Sequence, residues 1–475
     1  MKRLDRTPIG PDTFRMRCLP PRSLRRALLG AALAAGLAGC SATPAPPPRS
    51  PAPTPAPPPV AVVPKPAAPA PAQPAVDPSH PVMLGIDVLE AEGFAAIRGK
   101  NIALLTHPAG VDMHGASTIE VLRHAPNVHL VALFGPEHGL RGEYPAGFNY
   151  PDHVDGRTGL PVRSLYNGRV DHRPTKAQLK GIDVMVIDLQ DIGVRSYTFI
   201  SVMKTCMEGC FENGVEVIVL DRPNPLGGLK VDGPPLDPQF ESFVGEFRVP
   251  YVYALTIGEL AKMAKAAPDV LKIPEAVRLN GRLTVIPMRG WRRAMRWPET
   301  GLTWVPTSQA ITSFSAAEGC AMVGLGTQVG GFKSGVGTNY PFRGVYYHGV
   351  HFDVLERDLR ALSLPGIGFR RVSVPDPKTG KSDIGLYVEI TDWDLWQPTE
   401  LGLNLIRLAC KYDPKTFAAA TKPEISIFQK CLGSAAFCND VYAHGAKVDV
   451  AAYVRDWQAH NAIYQQLSRK YWLYY

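Results

Sequence analysis

Four short apolar runs punctuate the first half of the folded sequence, at 101–105, 128–134, 182–187 and 215–220. Each is β-prone and bounded by polar or glycine-bearing turns, the pattern of strands. Helical segments separate them. Residues 116–124 open with Ser117-Thr118-Ile119-Glu120, an acceptable helix start signal. Residues 175–180 read as a short helix and 199–213 as a longer one. Strand, helix and strand in alternation imply parallel pairing through right-handed crossovers. The fold class is therefore α/β, with a Rossmann-like parallel-sheet domain over 81–305. A further helix starts at Thr256 and a further strand covers 283–288. Beyond residue 305 the pattern changes to a strand at 386–390, a helix at 401–410 and a long helix at 450–473. The last carries Trp457, Ile463, Tyr464 and Leu467 on its apolar face. This predicts a smaller mixed α/β C-terminal domain over 306–475. No GxGxxG opens a helix after the first strand, so the dinucleotide fingerprint is missing.

The N-terminus reads differently. Arg22, Arg25 and Arg26 precede an apolar run from Ala27 to Leu37, then Leu37-Ala38-Gly39-Cys40 and Ser41. A basic segment, a short apolar segment and small residues before a cut make a secretory signal over 1–40. The apolar run is too short for a permanent membrane span. Leu-Ala-Gly-Cys resembles the bacterial lipobox, which makes Cys40 the expected lipidated first residue of the mature chain. Ser41 rather than Asp suggests, by analogy, an outer-membrane lipoprotein facing the periplasm. Met16 offers a more usual start than Met1. Residues 41–80 are almost wholly Pro, Ala and Val, an extended semi-rigid tether. Residues 1–40 hold eight Lys+Arg against two Asp+Glu, a net of +6, so only +2 of the chain's formal +8 belongs to the rest. The basic balance is thus mostly a targeting feature, and nothing in it points to nucleic acid. About 395 residues follow the tether, enough for two domains with full cores.

Of eight cysteines, Cys18 and Cys40 precede the folded part. Cys431 and Cys438 flank a short loop and are spaced to allow a bridge in an oxidising compartment. Cys206 and Cys210 sit one helical turn apart and read as small apolar residues. His348, His351 and Asp353 form a weak metal candidate against a solvated strand or loop, and no Cys/His spacing suggests zinc.

Candidate chemistry gathers at strand ends. The 128–134 run leads into Pro136-Glu137-His138-Gly139-Leu140-Arg141-Gly142. The 182–187 run leads into Asp188-Leu189-Gln190-Asp191-Ile192-Gly193-Val194-Arg195-Ser196-Tyr197. The 215–220 run leads into Asp221-Arg222-Pro223-Asn224-Pro225-Leu226-Gly227-Gly228. A solvated turn with a salt bridge explains any one of these. Three together suggest one shared cleft, because loops after parallel strands leave from the same edge. The glycine-rich stretch at 324–338 nearly reads as a phosphate-binding loop, but Phe332 separates the glycines from Lys333.

These runs resemble the exo-β-N-acetylmuramidase family. The resemblance covers residues 83 to 475 and includes Leu104-Leu105-Thr106, Gly110-Val111-Asp112, Pro136 to Gly142, Thr158 to Val162, Ser164-Leu165-Tyr166, Asp188 to Tyr197 and Asp221 to Gly228. Ser242 to Gly245, Thr256 to Leu260, Gly290-Trp291, Thr300-Gly301-Leu302 and Arg469-Lys470-Tyr471 continue it. It implies a glycosidase that removes N-acetylmuramic acid from non-reducing ends of peptidoglycan fragments, without cofactor or metal, working in a cleft between two domains. Glycoside hydrolysis commonly uses one carboxylic acid and a second supporting or attacking group. Glu137 is the expected acid, with Asp232 or Asp221 as the second carboxylate. Arg141, Arg195 and Arg222 suit a carboxylate grip. Asn224 and Gln190 suit an amide or hydroxyls, and His138, Asp188, Asp191 and Tyr197 complete the substrate-binding set. The chain departs from the family at Asp232, where glutamate is usual, at Thr106-His107-Pro108, at Thr307-Ser308-Gln309-Ala310, and at 324–338, which lacks two acidic residues. The alternative is a catalytically weak lipoprotein that binds cell-wall saccharide.

Overall fold

The computed structural model describes residues 82–375 and 380–475. The signal segment, Cys40 and the 41–80 tether lie outside the described residues.

Seven strands form the first sheet: β1 (Asn101–Thr106), β2 (His129–Gly135), β3 (His153–Val154), β4 (Pro161–Ser164), β5 (Val184–Asp188), β6 (Glu216–Leu220) and β7 (Leu283–Ile286). Their order is β3-β4-β2-β1-β5-β6-β7. All neighbours pair parallel except β3 with β4. Alternate residues feed two separate cores, since side chains on a strand alternate faces. Ala103, Leu105, Met185, Ile187, Val217 and Val219 pack beneath the helices Phe199–Glu212 and Ile257–Ala266. Ile102, Leu104, Val184, Val186, Ile218 and Leu220 pack against Gly85–Ala91 and Thr118–His124. Burial on both faces is the reason these strands read as continuous apolar runs. The chain builds outward from β1 to β2 and β4, then crosses back to β5 and continues to β6 and β7. The reversal puts a topological switch point between β1 and β5, where open α/β sheets bind ligands beyond the carboxyl ends of the strands.

A second, antiparallel sheet joins β8 (Phe332–Lys333), β9 (Gly344–Tyr347), β10 (Ile367–Pro375) and β11 (Ser382–Ile390) in the order β10-β11-β9-β8. The helix Pro398–Tyr412 covers it. Gly326 of the glycine-rich stretch meets this helix so closely that a Cβ there would lie 2.5 Å from the Gly402 carbonyl oxygen. These glycines therefore serve close packing.

Several expectations need correction. Residues 176–181 form turns rather than a helix. The Val450–Ser468 helix buries Trp457, but Ile463 and Leu467 are exposed. Cys431 and Cys438 are both free and buried. They lie on different helices, Lys422–Leu432 and Ala435–His444, and each packs into the core they share. Cys206 and Cys210 do pack as apolar residues within the first core. His351 caps the helix Phe352–Arg360, accepting from the Asp353 amide. Among the described residues, no cluster of three metal-ligating side chains is present.

Candidate active site

Glu137 stands on the loop after β2. Glycine is needed at Gly135, the last residue of β2, because a Cβ there would sit 2.3 Å from the Tyr150 hydroxyl oxygen. That hydroxyl donates to the Pro136 carbonyl at 2.8 Å. His138 then adopts a left-handed φ of 68°, rare outside glycine. Its Nδ1 meets the Tyr144 carbonyl at 2.9 Å. A carbonyl only accepts, so Nδ1 carries the proton and Nε2 remains open.

The Glu137 carboxylate is half-buried and held from three sides. The Gly147 amide donates to Oε1 at 2.7 Å. Thr198 and Tyr166 hydroxyls donate to Oε2 at 2.9 and 3.3 Å, and lie 3.3 Å from each other. Burial and the adjacent Glu137 charge push the Tyr166 hydroxyl well above its usual pKa, so it stays a neutral donor. Thr198 directly precedes the Phe199–Glu212 helix, and its hydroxyl is given to Glu137 rather than to a helix amide, which ties the acid to the most buried helix of the first core. Thr198 did not stand out from sequence, and His107 did so only as part of a departure from the family pattern. Tyr166 fell inside a matching motif without an assigned role.

His107 links this group to β5. Its ring sits edge-on to Phe199 with centroids 4.5 Å apart. The Gln190 amide donates to its Nε2 at 2.9 Å. Burial, with help from Arg222, lowers its pKa to about 3. His107 is therefore a neutral spacer rather than an acid or base. Arg222 forks onto Asp188, with Nε 2.5 Å from Oδ1 and Nη2 3.0 Å from Oδ2, and also donates to the Val111 carbonyl. Asp188 receives the Thr118 hydroxyl as well. Tyr197 donates to Thr307 at 2.7 Å, and Gln309 Nε2 reaches the Gly142 carbonyl at 3.2 Å, so the 307–309 segment closes over the strand ends. Arg141 stays on the rim, paired with Asp155 at 3.0 Å.

Four expected site residues serve the scaffold instead. Arg195 is fully buried and donates to four carbonyls, those of Pro234, Val249, Cys431 and Leu432. The last two end the Lys422–Leu432 helix, where a cation meets the negative end of the dipole. Its donors cannot grip a substrate carboxylate. Asp232 accepts from the Thr399 amide and hydroxyl at 2.7 and 2.8 Å, so it anchors the start of the Pro398–Tyr412 helix. Asp221 accepts from Thr256, Gly258, Arg222 and Tyr474 at the start of the Ile257–Ala266 helix. Burial, with Glu259 nearby, raises its pKa to about 6. Asn224 is spent on Leu255 and Leu226. Asp191 is intermediate in character: burial raises it to about 6, and its Oδ2 accepts from the Gly193 amide and the Tyr253 hydroxyl. Neither Asp221 nor Asp232 is free to face Glu137 as a second reacting carboxylate.

A cavity of about 170 Å³ opens at the switch point. Its walls come from the loop after β1, from Gln190 after β5, from Arg222 after β6, and from Trp297 and Val305.

The chain matches the family model described as the N-terminal part of the exo-beta-N-acetylmuramidase NamZ over residues 102–315, and the C-terminal part over 321–474. A curated relative, the peptidoglycan beta-N-acetylmuramidase NamZ of Bacillus subtilis (strain 168), is 36% identical over 341 residues, 71% of this chain and 79% of that one. A crystal structure of a DUF1343 family protein of Bacteroides fragilis NCTC 9343 is similar with a TM-score of 0.74 and 37% identity, covering 83% of this chain and 99% of the other. A second protein of that family and organism, 22% identical with a TM-score of 0.60 over the same shares, shares the fold. With both family models matched in order across both sheets, the chain belongs to the exo-β-N-acetylmuramidase family.

Proposed function

We propose that this protein is a glycosidase releasing N-acetylmuramic acid from the non-reducing ends of peptidoglycan fragments, with Glu137 as general acid. The observation that carries the reading is the unequal setting of the two Glu137 oxygens. The Gly147 amide can only donate, so Oε1 is kept as an acceptor. The Thr198 and Tyr166 hydroxyls can either donate or accept. Oε2 can therefore hold a proton, hand it to the departing glycosidic oxygen, and take another from water. His138 presents Nε2 on the same loop to a sugar hydroxyl or to the water that completes the reaction. The name of the Bacillus relative supports the same substrate.

The test is Glu137→Gln, assayed on a natural disaccharide and on an aryl β-N-acetylmuraminide. Loss of a positioned acid costs about 10²- to 10⁴-fold in rate. The aryl leaving group needs little protonation, so its loss should be smaller. Equal loss on both substrates argues against an acid role, and full activity on both removes Glu137 from the chemistry. One observation favours a second reading: Asp221 and Asp232 are committed to helix starts. A wild-type protein that binds glycan yet cleaves neither substrate is then a saccharide-binding member of the family.

We further infer that Cys40 carries lipid and that the 41–80 tether holds the enzyme off the outer membrane, in the periplasm. Cys40→Ala should release the protein from membranes or block processing. Unchanged fractionation with an unchanged N-terminal peptide mass refutes this.

A further inference from the structure

The cavity at the switch point has its own chemistry. Arg222 is 3% exposed, and two of its nitrogens are used: Nε on Asp188, and Nη2 on Asp188 and the Val111 carbonyl. Among the described residues Nη1 has no acceptor, and Arg222 is part of the cavity wall. Asp112, also in the wall, spends Oδ1 on the amides of His114 and Ala116 at 2.9 and 2.8 Å, which leaves Oδ2 as an acceptor. Leu84, Leu302 and Val305 supply apolar surface, and the Trp297 ring closes one side. With Gln190 Oε1 and Trp297 Nε1, buried and unpartnered among the described residues, also on wall residues, the site offers donors, acceptors and an apolar patch. A cavity near 150 Å³ accommodates a six-membered ring. One of about 170 Å³ therefore takes a substituent or a single ring, never a disaccharide.

Charge decides which substituent. Asp188 neutralises the Arg222 guanidinium directly. Asp87 lies within Coulombic reach of both Asp112 and Arg222, its oxygens taken by the amides of Leu84 and Met113. One guanidinium thus faces three aspartates, with the exposed His114 as the other titratable group on the wall. Such a wall disfavours a carboxylate, because like charges in a partly desolvated site repel. It suits a neutral group that both accepts and donates.

We propose that this cavity holds the acetamido group of the sugar, and not its lactyl carboxylate. The amide carbonyl accepts from Arg222 Nη1, the amide N–H donates to Asp112, and the methyl packs on Leu84, Leu302 and Val305. The inference rests on the reading of the protein as an N-acetylated-sugar enzyme, and it deepens that reading by dividing the substrate's two recognition handles between different sites.

The experiment uses the full chain, with the indole N–H resonance of Trp297 as reporter, assigned through Trp297→Phe. N-acetylglucosamine, glucose and D-lactate are titrated separately. The N-acetyl sugar should shift the resonance, and glucose, neutral and without the acetamido group, should bind at least about tenfold more weakly, the worth of a lost hydrogen bond to a charged donor. Lactate should leave it unmoved. Val305→Phe, which puts a larger side chain into the cavity wall, should raise KM for an N-acetylated substrate more than it lowers kcat. A shift produced by lactate overturns the proposal, as does equal binding of glucose and the N-acetyl sugar. The two readings fail separately. Turnover of muraminides with indifference to N-acylation sinks the cavity assignment alone. Selective N-acetyl binding without turnover sinks the enzymatic reading and leaves the cavity assignment standing.

Discussion

Thr198 donates to Oε2 of Glu137 at 2.9 Å, although 61 positions separate them in the chain. Thr198 directly precedes the helix Phe199–Glu212, which is buried along nearly its whole length against the first sheet. A loop carboxylate is thereby held at the start of a helix buried along nearly its whole length. Positioning of this kind lowers the barrier because the ordering is done before substrate arrives.

Thr198→Val removes the hydroxyl and keeps the shape. It should lower kcat about tenfold with little change in KM, on the order of one hydrogen bond to a charged group. In a Glu137→Gln background the same substitution should cost almost nothing more, since both act through one carboxylate. Additive losses in the double variant would refute the coupling.

Arg195→Met should destabilise without altering the chemistry. The substitution strands four buried carbonyls that now accept from the guanidinium. A loss of about 3 kcal/mol or more is expected, because unsatisfied buried groups cost about 1 to 3 kcal/mol each. Urea unfolding reads the stability, and kcat measured on folded protein should match wild type. A loss below about 1 kcal/mol, or a selective rise in KM, would return Arg195 to the binding site.

Asp221 predicts a pH signature. Its folded pKa is raised to about 6 by burial, against an unfolded value of about 3.9. The folded state therefore holds the proton more tightly. Asp221 supports stability most below pH 4, and that support is lost as pH rises from about 4 to 6, by about 2 to 3 kcal/mol. Asp221→Asn keeps the acceptor for Gly258 and offers an amide to the Thr256 and Tyr474 oxygens. The difference in unfolding free energy between variant and wild type should move in the variant's favour across this window and then level off. A pH-independent difference contradicts the assignment.

The six described cysteines are free, five of them buried. Burial pushes the Cys431 and Cys438 thiols up to about 12, which makes them poor nucleophiles in the folded protein. Thiol reagents should label them only after unfolding, and reductant should leave the melting temperature unchanged. A mass lower by two hydrogens on the peptides carrying Cys431 and Cys438 would establish a bridge instead.

The sheet was legible from the chain alone, because strands covered on both faces must be apolar at nearly every position. β1, β2, β5 and β6 announce themselves without reference to neighbours. The motif around Glu137 was legible too, since its residue types have few other uses side by side. The roles of the acids and arginines were not. Asp221, Asp232 and Arg195 look like site residues in sequence, yet each is matched to a helix end built by distant segments: Ile257–Ala266, Pro398–Tyr412 and Lys422–Leu432. The same carboxylate is a reactant when water and substrate reach it and a cap when backbone amides do. That choice depends on which helix start arrives in space, and the order of residues along the chain does not encode it locally. The sequence by itself determined the buried parallel strands β1, β2, β5 and β6, their parallel crossovers and the motif that carries Glu137. Only tertiary packing decided which charges remain free for chemistry, because desolvation and pairing are properties of neighbours brought together by the fold.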